Sequence, residues 1–495
     1  MIFLSVLLRF VALLDNAFVN ANDDNACLEM QEISAETQIN SSQEYTFPNK
    51  SDTIFMKNRL CSWTIQIPKN YFVILYINSS VPPGGRISVT QAFNHTESFL
   101  DSRVEVALFF VAPSFDLHWF SGNFSNGSIH FSVQWQSYPK NMSSQYYTLE
   151  RTGSPIVLDH EDTYSPVVFH AATKVSVLCL PGYRREDDTF LRTGIVFDGP
   201  DVQSPFLGSL YSISQLQSQL TSSSSTVTIF SLVPITTHHH VIVQDASIYQ
   251  NISQLTALNI NESGVDIVKI KASTGSSAVL TLIEDTLIDE YLISVELEND
   301  AQLQIYFEGL SDNQRVATYT NRNNITHLPQ KLQGRIRYYV LTSGEAIILL
   351  TRDRAKTDWE KAFAGRRGFF TSKYWKLDTK NSMQQDAFHF IGEEAENAAQ
   401  FLFSYRVLEA DLSEENSMHF EVADNVRRIH YYDHRSATEY TNDTQWHSHY
   451  GQSISVIYST GSGQSSGFFA QFQIDCGSNN LLSLFIFCAV FLFWI

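Results

Sequence analysis

Ile129-His130-Phe131-Ser132-Val133-Gln134-Trp135-Gln136 alternates apolar and polar residues without a break. Successive side chains of an extended chain point to opposite sides, so this stretch is a strand with one face in a core and one in water. The period returns in Met418, Phe420 and Val422, and in Val295 and Leu297 between Ser294, Glu296 and Glu298. It returns again in Ala470, Phe472 and Ile474, set against Gln471, Gln473 and Asp475. Unbroken apolar runs, Val73 to Ile77 and Leu108 to Ala112, read as strands buried on both faces. Turn residues punctuate the runs at Pro82-Pro83-Gly84-Gly85, Asn126-Gly127, Asp198-Gly199-Pro200 and Gly461-Ser462-Gly463. Helical periodicity is scarce, and its clearest short candidate is Gly392 to Phe403, with Ala395, Ala398, Ala399 and Phe403. Many short strands separated by turns predict an all-β chain of sandwiches or barrels.

The two ends point outward from the cell. Ile2 to Leu14 is apolar apart from Ser5 and Arg9, and Val19-Asn20-Ala21 follows as a small-residue cleavage site. That is the layout of a signal peptide over residues 1–21. Leu481 to Ile495 is apolar and uncharged, and as a helix it would reach about 22 Å at ~1.5 Å per residue. A bilayer core is about 30 Å thick. A short terminal tail after Cys476, Gly477 and Ser478 reads as a GPI-attachment signal over 477–495, with the lipid anchor at Ser478. The alternative is a short tail anchor. Acceptor sequons stand at Asn40, Asn49, Asn78, Asn94, Asn123, Asn126, Asn141, Asn251, Asn261, Asn324 and Asn442. Behind a signal peptide they predict a glycoprotein whose glycans mark exposed loops.

The formal net charge of −19 argues against nucleic acid as a partner, because that needs a basic face. It also argues against holding an anionic membrane by charge, so the membrane contact is expected through the lipid. Apart from Cys488 in the tail, the cysteines are Cys27, Cys61, Cys179 and Cys476, which allow three pairings. So few cysteines leave the modules to be held mainly by packing. The chain divides into a module at 22–148, a second at 149–251, a β-rich segment at 252–355 and a last module at 356–476. The polar stretch Tyr138 to Thr152 and the dibasic Arg366-Arg367 region serve as separators.

Three stretches carry a family resemblance. Cys61-Ser62-Trp63-Thr64-Ile65-Gln66-Ile67-Pro68-Lys69-Asn70-Tyr71 resembles the opening of CUB domains. Gly194-Ile195-Val196-Phe197-Asp198-Gly199-Pro200-Asp201, then Ser204-Pro205-Phe206-Leu207-Gly208, a serine cluster and the strand Thr226 to Val233, resembles their central half. Gly467-Phe468-Phe469-Ala470-Gln471-Phe472-Gln473-Ile474 resembles their closing strand. With so few cysteines, the chain is most similar to the nematode CUB-like family. The resemblance implies tandem jelly-roll-like β-sandwiches. It also implies non-catalytic extracellular recognition of a protein or glycan, and a disulfide between Cys27 and Cys61. Similar nematode proteins are associated with innate defence at exposed epithelia.

Many CUB domains hold calcium through carboxylates, but Arg192 stands six residues before Asp198 where the pattern expects Asp. Asp198 and Asp201 read as turn formers. His238-His239-His240 would alternate faces on a strand and converge poorly on one ion. His160-Glu161 begins like H-E-x-x-H, but residue 164 is Tyr. Glu393-Glu394 reads as a solvated face. The expectation is no cofactor, no metal and no catalysis, with a structural surface glycoprotein or a secreted hydrolase as alternatives. Trp63 is expected in a core. Trp119, Trp359, Trp375 and Trp446 are expected as core, with a ligand platform as the other use of such residues.

Overall fold

The computed structural model describes residues 30–35, 44–48, 58–91, 95–123, 127–140, 142–151, 153–180, 182, 191–215, 219–233, 239–283, 288–373, 375–377, 385–391, 401–412, 416–424, 429–436, 444–460 and 465–476. The signal peptide, Cys27, His238, Glu393-Glu394, Ser478 and the apolar tail lie outside them, as do Asn40, Asn49, Asn94, Asn126, Asn141 and Asn442. The chain forms two compact units, 1–140 and 141–495. The protein is all-β.

The first unit holds β1 (Gln31–Ile33), β2 (Glu44–Phe47), β3 (Leu60–Gln66), β4 (Tyr71–Ser80), β5 (Arg86–Gln91), β6 (His95–Phe99), β7 (Arg103–Val111), β8 (Ser114–Phe120) and β9 (Ser128–Ser137). They make two sheets, ordered β1-β3-β8-β5-β6 and β2-β9-β4-β7. Only β1 pairs in parallel, with β3; every other pairing here is antiparallel. Inward residues of both sheets meet in one core around Trp63, Trp119, Trp135 and Phe131. The Trp63 ring lies 4.8 Å from Phe47 and 5.0 Å from Phe131, edge to face in both cases.

The second unit repeats this plan. Its first sandwich has β10 (Gln145–Leu149), β11 (Ile156–Asp159), β12 (Val167–Ala171), β13 (Val175–Leu180), β14 (Gly194–Phe197), β15 (Phe206–Ser209), β16 (Leu220–Thr221), β17 (Thr226–Ser231) and β18 (His240–Asp245). The sheets run β10-β12-β17-β14-β15 and β11-β18-β13-β16, with β10 parallel to β12. The next has β19 (Ile252–Ala257), β20 (Val265–Ala272), β21 (Ser276–Leu282), β22 (Glu290–Leu297), β23 (Leu303–Phe307), β24 (Arg315–Tyr319), β25 (Gln330–Leu332), β26 (Ile336–Leu341) and β27 (Gly344–Thr351). Its sheets run β19-β21-β26-β23-β24 and β20-β27-β22-β25, again with the first strand parallel to the third.

The last sandwich has β28 (Arg366–Thr371), β29 (Gln385–Ile391), β30 (Phe401–Ala410), β31 (Ser417–Ala423), β32 (Ile429–Ser436), β33 (His447–Gly451), β34 (Ser453–Ser459) and β35 (Phe468–Cys476). Its sheets, β28-β35-β30-β33 and β29-β34-β31-β32, reproduce the same order without the first parallel strand among the described residues. One nine-strand topology is therefore used four times, in its last use with eight described strands.

Two readings of the sequence change here. Phe401, Leu402 and Phe403 open β30 rather than close a helix, because Phe403, Tyr405 and Val407 alternate into the sandwich core; residues 392–400 lie outside the description. The polar stretch before residue 152 also carries structure: β10, whose Leu149 enters the second core.

Within the second unit the sandwiches share apolar seams. β13 is buried along its whole length. Val175, Val177 and Cys179 enter their own core, while Leu178 and Leu180 join Leu280, Tyr306, Ile336 and Tyr338 of the next sandwich. Burial on both faces explains the continuous apolar run Val177 to Leu180. Phe369, Trp375 and Phe469 of the last sandwich likewise join the core built around Phe307, Tyr339 and Ile348.

Candidate functional site

The outer face of the sheet β28-β35-β30-β33 is divided. Phe369 and Phe469 are covered by the preceding sandwich, with Phe307 at 6.2 Å from the Phe369 ring. Beside this seam the same face stays open and becomes one wall of a cleft of about 360 Å³. Ligand sites of roughly 300–1,000 Å³ are usual in proteins. The cleft wall is set by cross-strand register: Arg367 of β28 lies opposite Gln473 of β35, and Arg406 of β30 opposite Gln471. The other wall is β24, with Arg315 to Tyr319, and the short helix α1 (Asn324–His327). Trp446, just before β33, completes the lining.

The floor is tight. Gln330 is buried between the sandwiches, donating from Nε2 to the Phe369 carbonyl at 2.9 Å and accepting from the Phe369 amide at 3.3 Å. A methyl group on Gly368 would stand 2.5 Å from the Gln330 Oε1 and 2.7 Å from the Phe472 ring, so only glycine fits.

The lining is basic in a chain of net charge −19. Arg315 pairs with Asp312 at 3.3 Å. Arg367 and Arg406 have no carboxylate partner among the described residues. The Arg406 Nε and Nη2 donate to Gln471 Oε1 at 2.9 and 2.6 Å, and the guanidinium lies 4.8 Å from the Trp446 ring. Those contacts hold the side chain in place and leave the Gln471 amide to donate. His327 Nδ1 lies 2.9 Å from the Asn323 carbonyl, which puts the ring proton on Nδ1 and leaves Nε2 as an acceptor. Burial, helped by the nearby Arg367 charge, lowers the His327 pKa, so the ring is neutral at pH 7. Trp446 is 38% exposed, in contrast to Trp63, Trp119, Trp359 and Trp375, which are all core.

The other expected positions fall elsewhere. Asp201 accepts the Gln203 amide at 2.9 Å as a turn former, whereas the Asp198 carboxylate accepts the amide of Ser223, 25 residues away, at 3.1 Å and so ties its turn to the loop before β17. Arg192 lies 3.8 Å over the Tyr211 ring, so its charge faces an aromatic surface. His240 Nδ1 meets Asp159 Oδ1 at 3.0 Å, while His239 is buried. His160 and Glu161 lie in a short 3₁₀ turn after β11. Among the described residues no three His, Cys, Asp or Glu side chains converge as a metal site. Cys179 is a buried thiol, its ionisation pushed up by burial, and Cys476 ends β35. Neither bridges to the other.

Asn78, Asn123, Asn251 and Asn261 are exposed. Asn78 sits within β4 on its outward face rather than in a loop. Asn324 is half-buried and its Nδ2 donates to the Val295 carbonyl at 3.0 Å. Among the described residues no helix is long and apolar enough to cross a membrane.

Sequence reasoning missed the cleft. It noted Arg366-Arg367 only as a dibasic separator. Period two sends Arg366 inward, fully buried against Trp359 at 4.9 Å and Phe390 at 4.6 Å, and Arg367 outward. The outward pair Gln471 and Gln473 was visible as the polar face of a strand, but nothing in the chain shows that Arg406 and Trp446 stand beside it.

Residues 22–139 match the model described as CUB-like domain. Residues 149–232 and 247–353 match two models described as domains of unknown function, DUF7592 and DUF7591. No curated protein matches the chain. The CUB1-EGF-CUB2 domains of rat MASP-1 align over 44% of this chain and 100% of that one, at 10% identity and a TM-score of 0.17. The corresponding human MASP-1/3 structure aligns over 42% and 99%, at 10% identity and a TM-score of 0.16. An archaeal-virus protein with a triple jelly-roll fold aligns over 67% and 97%, at 10% identity and a TM-score of 0.15. Scores this low add nothing to the family match. The first nine-stranded sandwich of this all-β chain is thus a CUB-like domain.

Proposed function

We propose that this chain is an extracellular, surface-displayed glycoprotein that binds a protein or glycan without catalysing a reaction. The observation that carries the reading is the cleft between the last two sandwiches, where two arginines without carboxylate partners among the described residues and an exposed tryptophan stand in an otherwise acidic protein. A CUB-like domain at 22–139 supports it, since such domains are typically extracellular binding modules. The rest of the proposal follows the sequence: cleavage after residue 21, GPI attachment at Ser478, and glycans on the exposed sequons. A Cys27–Cys61 bridge belongs with it, supported by the bonded state of Cys61. A role in defence at exposed epithelia rests on the resemblance alone.

The test uses the full chain, displayed on cultured cells with its own leader and tail. Those cells are expected to capture a discrete ligand saturably from arrays of glycans and extracellular proteins. Treatment with phosphatidylinositol-specific phospholipase C is expected to release the protein and abolish capture. Cells that display the protein yet bind nothing on either array would overturn the reading.

A further inference from the structure

We propose that the cleft between the last two sandwiches is a binding site for an acidic saccharide, held by Arg367 and Arg406 through its charged group and by Trp446 through a sugar face. The inference rests on the proposed binding function and names its ligand class. It stands on what the lining offers chemically.

The first element is charge. Arg367 is exposed on β28 and makes no ion pair among the described residues, and Arg406 is anchored by Gln471 with no carboxylate among them to neutralise it. Two guanidinium groups facing one concave site favour an anion with oxygen acceptors, such as a sulfate or carboxylate. Arg315, already paired with Asp312, adds little further charge.

The second element is a mixed set of neutral donors and acceptors. Gln471 keeps its amide as a donor, Gln473 carries a further amide, and His327 presents an unprotonated Nε2. Hydroxyl groups both donate and accept, and such a set suits a polyhydroxylated ligand better than bare phosphate. The third element is Trp446, a half-open aromatic surface whose ring is fixed beside Arg406. The apolar C–H face of a pyranose packs against such a ring.

An extended acidic peptide fits less well. β24 is an edge strand of its sheet and could offer backbone groups to a peptide. Its carbonyl at Thr318 already accepts from Asn323 Nδ2 at 2.9 Å, and Asn323 Oδ1 accepts the Thr320 amide at 2.7 Å. The end of that edge is therefore capped by the protein's own side chain.

The test is binding of the full displayed chain to matched oligosaccharides that are neutral, uronic-acid-containing or sulfated, and to acidic peptides of equal charge. Sodium sulfate is run as a competitor against sodium chloride of the same ionic strength. Binding is expected to the acidic saccharides, with the uronate and sulfate arms identifying the charged group. Arg367→Ala is expected to weaken it about tenfold or more, as loss of a charge-assisted hydrogen bond does. The Arg367 side chain makes no hydrogen bond or ion pair among the described residues, so that variant is expected to keep its melting temperature. Trp446→Ala is expected to weaken binding likewise, whereas Lys271→Ala, at a distant exposed ion pair, leaves it unchanged.

Binding to neutral saccharides or to a protein alone, unaffected by Arg367→Ala, would overturn the inference and leave the wider binding function standing. Preference for acidic peptides, or competition by free sulfate as effective as by sugar, would also overturn it. Absence of any ligand would overturn both.

Discussion

Asp245 shows how single side chains fix a sandwich end. It closes β18, opposite Val175 of β13, and is fully buried. Burial alone would raise its pKa. The Ser247 and Thr173 hydroxyls, at 2.6 and 2.5 Å, and the amides of the same two residues, at 2.9 and 3.0 Å, outweigh that and pull it down to about 2. The folded value lies below the unfolded one of about 3.9. The contribution is therefore present above pH ~4 and is lost as pH falls towards 2. Asp245→Asn should lower stability at pH 7 by about 2 kcal/mol and flatten the acid limb between pH ~4 and ~2. Denaturant unfolding at pH 7 and pH 3 checks both. At this scale the sequence was legible where a residue's neighbours along the strand decide its side. Trp63 and Phe131 read as core and are core. Asp245 was not legible, because Thr173 and Ser247 reach it through a pairing 72 residues apart in the Thr173 case.

At the scale of elements, β28 and β35 carry two functions on one face. Alternation along β35 was plain in Ala470, Phe472 and Ile474, and the structure confirms the inward set. What alternation cannot say is which outward residues a neighbouring sandwich will cover. Phe469 and Phe369 are covered; Gln471, Gln473 and Arg367 are not. Gly368 marks the border. Gly368→Ala would push its methyl into Gln330 and Phe472. Overpacking of this kind typically costs about 1–3 kcal/mol, and here it also disturbs the two Gln330 hydrogen bonds that join the sandwiches. Thermal unfolding should show that loss, and saccharide binding should weaken with it because Arg367 is the next residue. The β-rich segment 252–355 shows the same limit. Its strands were readable, but their order, which repeats the first sandwich, lies in pairings between distant strands.

Across the whole molecule, one topology is reused while its surfaces diverge. Shared apolar seams join the three sandwiches of 141–495, around Leu178 and Tyr338 at one seam and Phe307 and Phe369 at the other. Buried seams of this kind hold a cleft between sandwiches in a fixed shape, which pre-organises it for a ligand. A net charge of −19, averaged over the chain, argues against nucleic acid as a partner. The cleft reverses that sign locally, and a local reversal is invisible to composition. Hydrogen exchange of the full glycosylated protein, with and without a sulfated oligosaccharide, reads out which strands the ligand covers. Added protection is expected in 315–319, 366–371, 401–410 and 468–476, where the cleft-lining strands lie. Protection confined to other strands, with these four unchanged while the saccharide is bound, would contradict binding in the cleft.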